Sequence, residues 1–532
     1  MSPARIRIAL ALIALAACLA VQTGNFGSYD TMRRFQVTHW LWQPAPQVAP
    51  RDAPDFGQIG RGGKRYAWYG IGQSLLMLPA DVAVTSFTPR SVHRSAHFQQ
   101  WRVLAVALLT FPWLDSLSVL LAFELLMELE FEPPLAALGA LTLLFSTSFL
   151  HYAQVHQENN QILLCALAAY WGVLRWRRTG RRFALIAGAA ALGFSILIRL
   201  PDLAIVAAVL LFGAAALRAA RRGPGPPLRL HAGWNYWGIM LGFCGLGLAG
   251  DRLYQWYRFG SPFTLYTPMP VAYMQRVLHL HLPAGYPFNY PLGWGVYGAL
   301  FSFNKSIFVF DPLLLLTLGV VLWRWKALDQ LPRLYLLSLA LMLAATILGY
   351  ARFADWSGNS AWGDRFTTVP VDLLAMLAVP LLLRYRGARG PREFRWPALA
   401  LVSAATLMQM ISLPLRDNVE LVQLATGPFG VFFIPARRVA NLIAIACARG
   451  PASGPAGAFP HSGLPAINLL PAWLQTMGAR GLVAPAWTLW ALCAAFALSL
   501  AFGLARRACA AALAAAPAEL RSSLAAQASS RA

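Results

Sequence analysis

About twelve apolar runs, each close to the length of a bilayer crossing, divide this chain from end to end. A helix needs roughly 20 mostly apolar residues to span the hydrocarbon core. Runs of that kind lie near residues 6–22, 101–126, 134–152, 161–175, 183–198, 202–217, 234–256, 307–323, 334–350, 367–383, 396–413 and 484–504. Only 12% of the residues are charged and 58% are hydrophobic, with a mean hydropathy of +0.52. Soluble domains carry about a quarter charged residues, so a soluble enzyme and a disordered chain are both excluded. The expected fold is an all-α polytopic membrane protein.

The 44 Lys and Arg residues against 21 Asp and Glu give a net charge of +23. The basic residues cluster between apolar runs, so they read as topology signals and not as a nucleic-acid surface. Arg5 and Arg7, Arg175 to Arg182, Arg218 to Arg229, Arg324 to Arg333, Arg384 to Arg395, and Arg506 with Arg507 all fall on one side if the twelve-span count holds. The other side receives segments 23–100, 257–306, 351–366 and 414–483. Within the first, Trp68 to Val84 is apolar but interrupted by Gly70, Gly72 and Pro79, which predicts an interfacial or re-entrant helix. The stretch 450–471 is rich in Pro and Gly and predicts irregular structure. No internal repeat argues for an inverted-repeat transporter. Six cysteines show no metal-ligand or disulfide spacing. Leu15 to Cys18 has the look of a lipoprotein processing site, but the segment is expected to remain as an uncleaved first helix.

Charges at helix ends in a membrane are costly and mark function. On the outer face they are Asp30, Glu158, Arg199, Lys305 and Arg365, with Asp202, Asp355 and Asp364 nearby. A few acids facing several bases suit an anionic lipid substrate and an acceptor that must lose a proton. Asp30 could act as a general base or be an ordinary turn residue. Arg199 could meet an anion or pair with Asp202 three residues on. His156 and Glu158 tempt as metal ligands, but positions i and i+2 do not share a helix face.

Four stretches together resemble one family. They are Asp30 followed by the run Gly63-Lys64 to Leu78-Pro79, then Tyr257 to Phe263, then Gly298 to Phe308, then Trp356 to Phe366. In order and on one face, they resemble segments of the GT-C superfamily of membrane glycosyltransferases. This family takes sugars from polyprenyl phosphates and includes protein O-mannosyltransferases and lipid A aminoarabinose transferases. The likeness runs from residue 1 to about residue 385. The sequence departs at Asn359, where glycine is usual, at Asp364, where proline is usual, and at Thr31, where an acid or polar partner often follows the first Asp.

The resemblance implies a GT-C-like core of about 12 transmembrane helices over 1–385, including the large outer loop 23–100, and a variable membrane region over 386–532 with outer segment 414–483. It implies transfer of a sugar from a polyprenyl-phosphate-linked donor to an acceptor hydroxyl, with inversion. Asp30 would be the base. Arg365, Arg199 and Lys305 would bind the donor phosphate, because a guanidinium fork matches phosphate oxygens. Glu158 would lie near the acceptor or a divalent metal, and no other cofactor is expected. The partners are a lipid-linked sugar donor, a lipid, glycan or protein acceptor and the membrane, without nucleic acid. The expected location is a bacterial inner membrane with the site facing the periplasm. Trp68, Tyr69, Tyr266, Trp356 and Trp362 could line a sugar pocket or form the interfacial aromatic belt. The competing reading is a lipid-linked sugar flippase, which would want its charges at mid-membrane. A non-catalytic assembly subunit is a third reading, against which the intact Asp30 and Arg365 speak.

Overall fold

The computed structural model describes residues 2–43, 57–93, 95–222, 232–266, 271, 274–275, 279–358, 361–385, 392–415, 433–447 and 467–514. The chain is an all-α, multi-pass membrane protein. Among the described residues the sole sheet is a two-stranded hairpin, Gln58–Ile59 paired with Arg65–Tyr66. Every apolar run read from the sequence is a helix or a broken pair of helices.

The N-terminal half supplies α1 (Pro3–Ala20), α2 (Tyr29–Trp40), α3 (Gly72–Ser86), α4 (Ala96–Glu128), α5 (Pro133–Ser146), α6 (Phe149–Val155), α7 (Asn159–Thr179), α8 (Arg182–Ile198), α9 (Leu203–Arg222) and α10 (Ala232–Phe259). The second half adds α11 (Leu292–Phe301), α12 (Ile307–Phe310), α13 (Leu313–Arg324), α14 (Gln330–Tyr350), α15 (Thr368–Ala375), α16 (Ala378–Arg384), α17 (Arg392–Ser412), α18 (Ile434–Ala446), α19 (Leu470–Thr476) and α20 (Arg480–Ala514). Among the described residues five helices are by themselves long and apolar enough to cross a membrane, and six if the bent pair α5–α6 counts as one. The others are shorter, more charged or interrupted. The run 134–152 bends by 51° between α5 and α6, where Thr147 takes an extended backbone. A second break, at Asp311-Pro312, separates α12 from α13.

One apolar core joins the helices: Leu10 of α1, Phe123 and Leu126 of α4, Leu144 of α5, Phe149 of α6 and Ile162 of α7 are all buried in it. The chain beyond residue 385 packs on the same core, with α20 against α1 and α5. Just past the C-terminal end of α1, Trp473 of α19 covers Gly24, where a Cβ would stand 2.4 Å from the indole. The Leu470 amide also donates to Gln22 O at 2.7 Å. Much of 414–483, including nearly all of the Pro- and Gly-rich stretch, lies outside the described residues.

Among its described residues, segment 23–100 contains α2 and then α3, which covers most of the run expected to form an interfacial or re-entrant helix. Buried Asp81 of α3 ties both to α4. It accepts hydrogen bonds from His39 Nδ1 at 2.9 Å, Trp42 Nε1 at 2.8 Å and Arg102 Nε at 2.7 Å. Burial alone would raise the Asp81 carboxyl, but these bonds and the Arg102 charge bring it below its ordinary value.

The expected placement of the basic clusters and of the segments 23–100, 257–306, 351–366 and 414–483 on opposite sides is directly testable. In a chain stripped of its six native cysteines, single cysteines at Lys64 and Arg352 should label from outside and those at Arg181 and Lys326 only from inside. Labelling of Lys64 and Arg352 from opposite sides would break the shared outer face.

Candidate active site

The N-terminal ends of α2 and α7 and the C-terminal ends of α8 and α14 converge on a cavity of about 460 Å³. Asp30, Glu158, Arg199 and Arg365 all line it, although they are separated by up to 335 residues in sequence. Arg34, Tyr69 and Trp68 join them.

Asp30 lies in the first turn of α2, not in a loop. Its Oδ1 accepts the Tyr69 hydroxyl at 2.7 Å, and its Oδ2 lies 3.3 Å from Arg365 Nη1. Its side chain keeps 22% exposure, so a substrate can reach it. Burial and the Asp30 charge together push the Tyr69 phenol well above its ordinary value, which keeps that proton on the oxygen and in the hydrogen bond. One turn along α2, Arg34 stacks 4.6 Å over the Tyr69 ring and donates to Glu158 Oε2 at 2.8 Å and Gln73 Oε1 at 3.0 Å.

Glu158 is the most enclosed of these acids, with 4% of its side chain exposed. Burial would raise its carboxyl, but the charges of Arg34, Arg199 and Arg365 hold it well below the usual carboxylate range. Arg199 grips Asp202 through three contacts of 2.7–2.9 Å, so the structural pairing read from the sequence is real. Its Nη1 nevertheless makes no hydrogen bond, and stands 3.6 Å from Glu158 Oε1. The buried Nε of Arg365 is also without a hydrogen-bond partner. Two orphaned guanidinium donors at one cavity are what an incoming anion would satisfy.

The glycine-rich run explains how segment 57–86 is held here. Gly70 and Gly72 lie against the end of α8, where a Cβ would come within 2.4 Å of Leu197 O and 2.6 Å of the Ile198 side chain. Only glycine allows that approach, and it brings Tyr69 into the cavity that Arg199 also lines. Next in the run, Gln73 Nε2 donates to His156 O at 2.8 Å, and Ser74 Oγ donates to Arg34 O at 2.8 Å. Thr31, the departure at the second acidic position, donates to the same His156 carbonyl at 2.8 Å. Arg258, in the Tyr257 to Phe263 stretch, is fully buried and donates to Tyr69 O at 3.1 Å. Each of these motifs is scaffolding for Asp30, Arg34 and Tyr69.

Two expected participants sit elsewhere. Lys305 does not line the cavity; its ammonium donates to Ala361 O at 2.6 Å and Gly363 O at 3.1 Å, bracing the loop that carries Arg365. His156 turns its ring onto Phe111, stacked at 4.5 Å, and both ring nitrogens are buried without hydrogen bonds. Burial lowers its imidazole to about 3. His156 and Glu158 therefore form no ligand pair. Among the described residues no group of three or more His, Cys, Asp or Glu is arranged to hold a metal ion. With its oxygens facing two guanidiniums, Glu158 does not fit a divalent cation.

Of the aromatic candidates, Trp68, Tyr69 and Tyr266 line the cavity. Trp356 instead fills the space over Gly298, and Trp362 is buried against Phe310 and Arg438. Arg365 pairs with neither Asp355 nor Asp364, its neighbours in sequence, but with Asp30. Asp364 accepts the Phe366 amide at 3.1 Å, and burial lifts its carboxyl to about 7. Of the motif 356–366, Asn359 and Ser360 lie outside the described residues.

Arg34 lines the cavity too, and sequence reading misses it. Its signal is present: Asp30 and Arg34 stand four apart, on one face of a helix.

No protein-family model and no curated protein matches the chain. Among solved structures it is similar to ArnT from Cupriavidus metallidurans in the apo state, at 14% identity and a TM-score of 0.44, over 94% of this chain and 75% of that one. It is similar to the same protein bound to undecaprenyl phosphate, at 15% identity and a TM-score of 0.40, over 94% and 76% of the two chains. The oligosaccharyltransferase of Archaeoglobus fulgidus is similar at 14% identity and a TM-score of 0.43, over 86% of this chain and 61% of its own length.

Proposed function

We propose that this protein is a membrane glycosyltransferase that moves a sugar from a polyprenyl-phosphate-linked donor to an acceptor hydroxyl on the outer face of a bacterial inner membrane, with inversion. The observation that carries the reading is the convergence of Asp30 with the unsatisfied guanidinium donors of Arg199 and Arg365 on one cavity at the outer helix ends. The four sequence stretches that resemble GT-C enzymes support it independently.

In the proposed step the acceptor hydroxyl gives its proton to Asp30 as its oxygen forms a bond to the anomeric carbon. The bond from that carbon to the phosphate oxygen breaks with its electron pair. The departing polyprenyl phosphate gains a negative charge that Arg365 and Arg199 stabilise. Arg34 and Glu158 keep Arg199 and Tyr69 in place. Lys305 serves the phosphate indirectly, by holding the 361–363 backbone ahead of Arg365. In the free protein Arg365 already faces Asp30. A donor phosphate competes for that guanidinium, so donor binding releases the base. No step passes through a metal.

The test is transfer by purified protein in liposomes, given undecaprenyl phosphates carrying different sugars and an envelope extract as acceptor source. Release of undecaprenyl phosphate with appearance of a new glycoside supports the reading. Movement of the intact lipid-linked sugar between leaflets without release would replace it with the flippase.

A further inference from the structure

Seven charged residues line the cavity: Arg34, Arg199 and Arg365, and the acids Asp30, Glu158, Asp202 and Asp355. The first three acids each face an arginine. Asp355 does not: among the described residues its carboxylate has no hydrogen bond or ion pair. It is an exposed acid at the edge of a site whose other charges are matched.

The backbone beneath it is fixed although the carboxylate is unengaged. The Ala354 amide donates to Pro287 O at 2.7 Å, and the Gly358 amide donates to Asp355 O at 2.8 Å. Phe353 packs on Phe288 with ring centroids 5.6 Å apart, and Trp356 locks over Gly298. Around it the cavity wall is aromatic, with Tyr286, Phe288, Tyr350, Phe353 and Phe366. Tyr350 and Phe366 stack at 4.0 Å. Aromatic faces beside an unsatisfied hydrogen-bond acceptor carried on a fixed backbone suit the apolar face and polar rim of a sugar ring.

Resting on the proposed transferase reading, we infer that Asp355 is a specificity residue that accepts hydrogen bonds from the transferred sugar. Its partners are sugar hydroxyls or a sugar ammonium. The lone negative charge also sets the donor's direction, because it repels the phosphate and leaves that group to the arginines. Asp355 is not part of the proton transfer, which belongs to Asp30.

The experiment compares wild type with Asp355→Asn in two assays. The first measures binding of undecaprenyl phosphate alone and of undecaprenyl phosphates carrying a neutral hexose or an amino sugar. The variant should bind the bare phosphate as wild type does, and lose about tenfold for the glycosylated probe that wild type prefers. Loss confined to the amino sugar identifies an ammonium partner, and loss with the hexose identifies hydroxyls. The second measures transfer, where donor KM should rise about tenfold with kcat within about threefold of wild type. Asp355→Glu should recover part of the donor KM. An unchanged preference, a wild type that prefers no glycosylated probe, or an effect on acceptor KM alone would overturn the assignment. If wild type transfers no sugar at all, the enzyme reading fails by itself, and the binding assay still decides whether Asp355 sees the sugar.

Discussion

Replacing Asp30 with asparagine is expected to lower sugar transfer by about a hundred- to ten-thousandfold, the usual contribution of a general base. Asparagine keeps the shape and can still accept the Tyr69 hydroxyl, which lies 2.7 Å from Asp30 Oδ1. The fold and protein level should therefore hold. Donor affinity should stay the same or tighten, because Arg365 no longer has the Asp30 carboxylate as its partner at 3.3 Å. A purely structural Asp30 would behave in the opposite way, with protein level falling and activity per folded molecule preserved. Retention of more than about a tenth of wild-type transfer would reject the base. The pH profile bears on Glu158. A carboxyl held below its ordinary value keeps its ionic contribution at every pH above that lowered value and loses it only as pH falls through it. Glu158 is held in that way, so an acid limb of activity between about pH 4 and 7 does not arise from Glu158.

The membrane class and most of the charges that line the cavity are legible in the sequence because both follow from strong signals. Apolar runs exclude other solvents, and lone charges at their ends need partners. Asp30, Glu158, Arg199 and Arg365 stand out for that reason, and they meet at one cavity. Lys305 joins them on charge and position alone, but its reach ends on the carbonyls of Ala361 and Gly363. No sequence pattern reports which carbonyls a loop will present. Arg34 escapes because segment 23–100 reads as a loop with one interfacial helix, so nothing prompts the helical spacing from Asp30. Helix breaks are equally hidden. Thr147-Ser148 sits inside an apolar run, and its break depends on Asp311 and Asp372, which accept from the Ser148 amide and hydroxyl at 3.1 and 3.0 Å. Such a break is made by tertiary partners, and local composition does not encode it.

Charge placement also bears on the competing flippase. The cavity's charged residues sit at helix ends, on α2, at the start of α7 and between α8 and α9. A carrier would need them near the bilayer centre on broken helices. The two buried acids at the α5–α6 break, Asp311 and Asp372, are the nearest approach to that pattern. They do not line the 460 Å³ cavity, so the cavity's charges are not part of that break.

Arg365→Lys is the second large effect expected, and it separates a phosphate clamp from an ion pair that only steadies the fold. Lysine keeps the charge but loses the planar fork and the Nε–H, which in the free protein is buried without a hydrogen-bond partner. A charge-assisted hydrogen bond is worth about 1.5–3 kcal/mol, so donor kcat/KM should fall about ten- to a hundredfold for each such bond that the substitution removes. The defect should persist at saturating acceptor. The guanidinium stem is already tailored to its place: Gly358, at a φ of +77°, leaves room for Arg365 Cγ, which a Cβ there would approach to 2.2 Å. A thinner lysine stem fits the same channel, so the protein should remain abundant and correctly inserted. If Arg365 merely neutralises Asp30, then Arg365→Met should reduce protein level, and adding Asp30→Asn should restore it. The clamp predicts instead that Arg365→Met leaves a folded protein with weak donor binding, and that Asp30→Asn in the same chain does not bring the binding back.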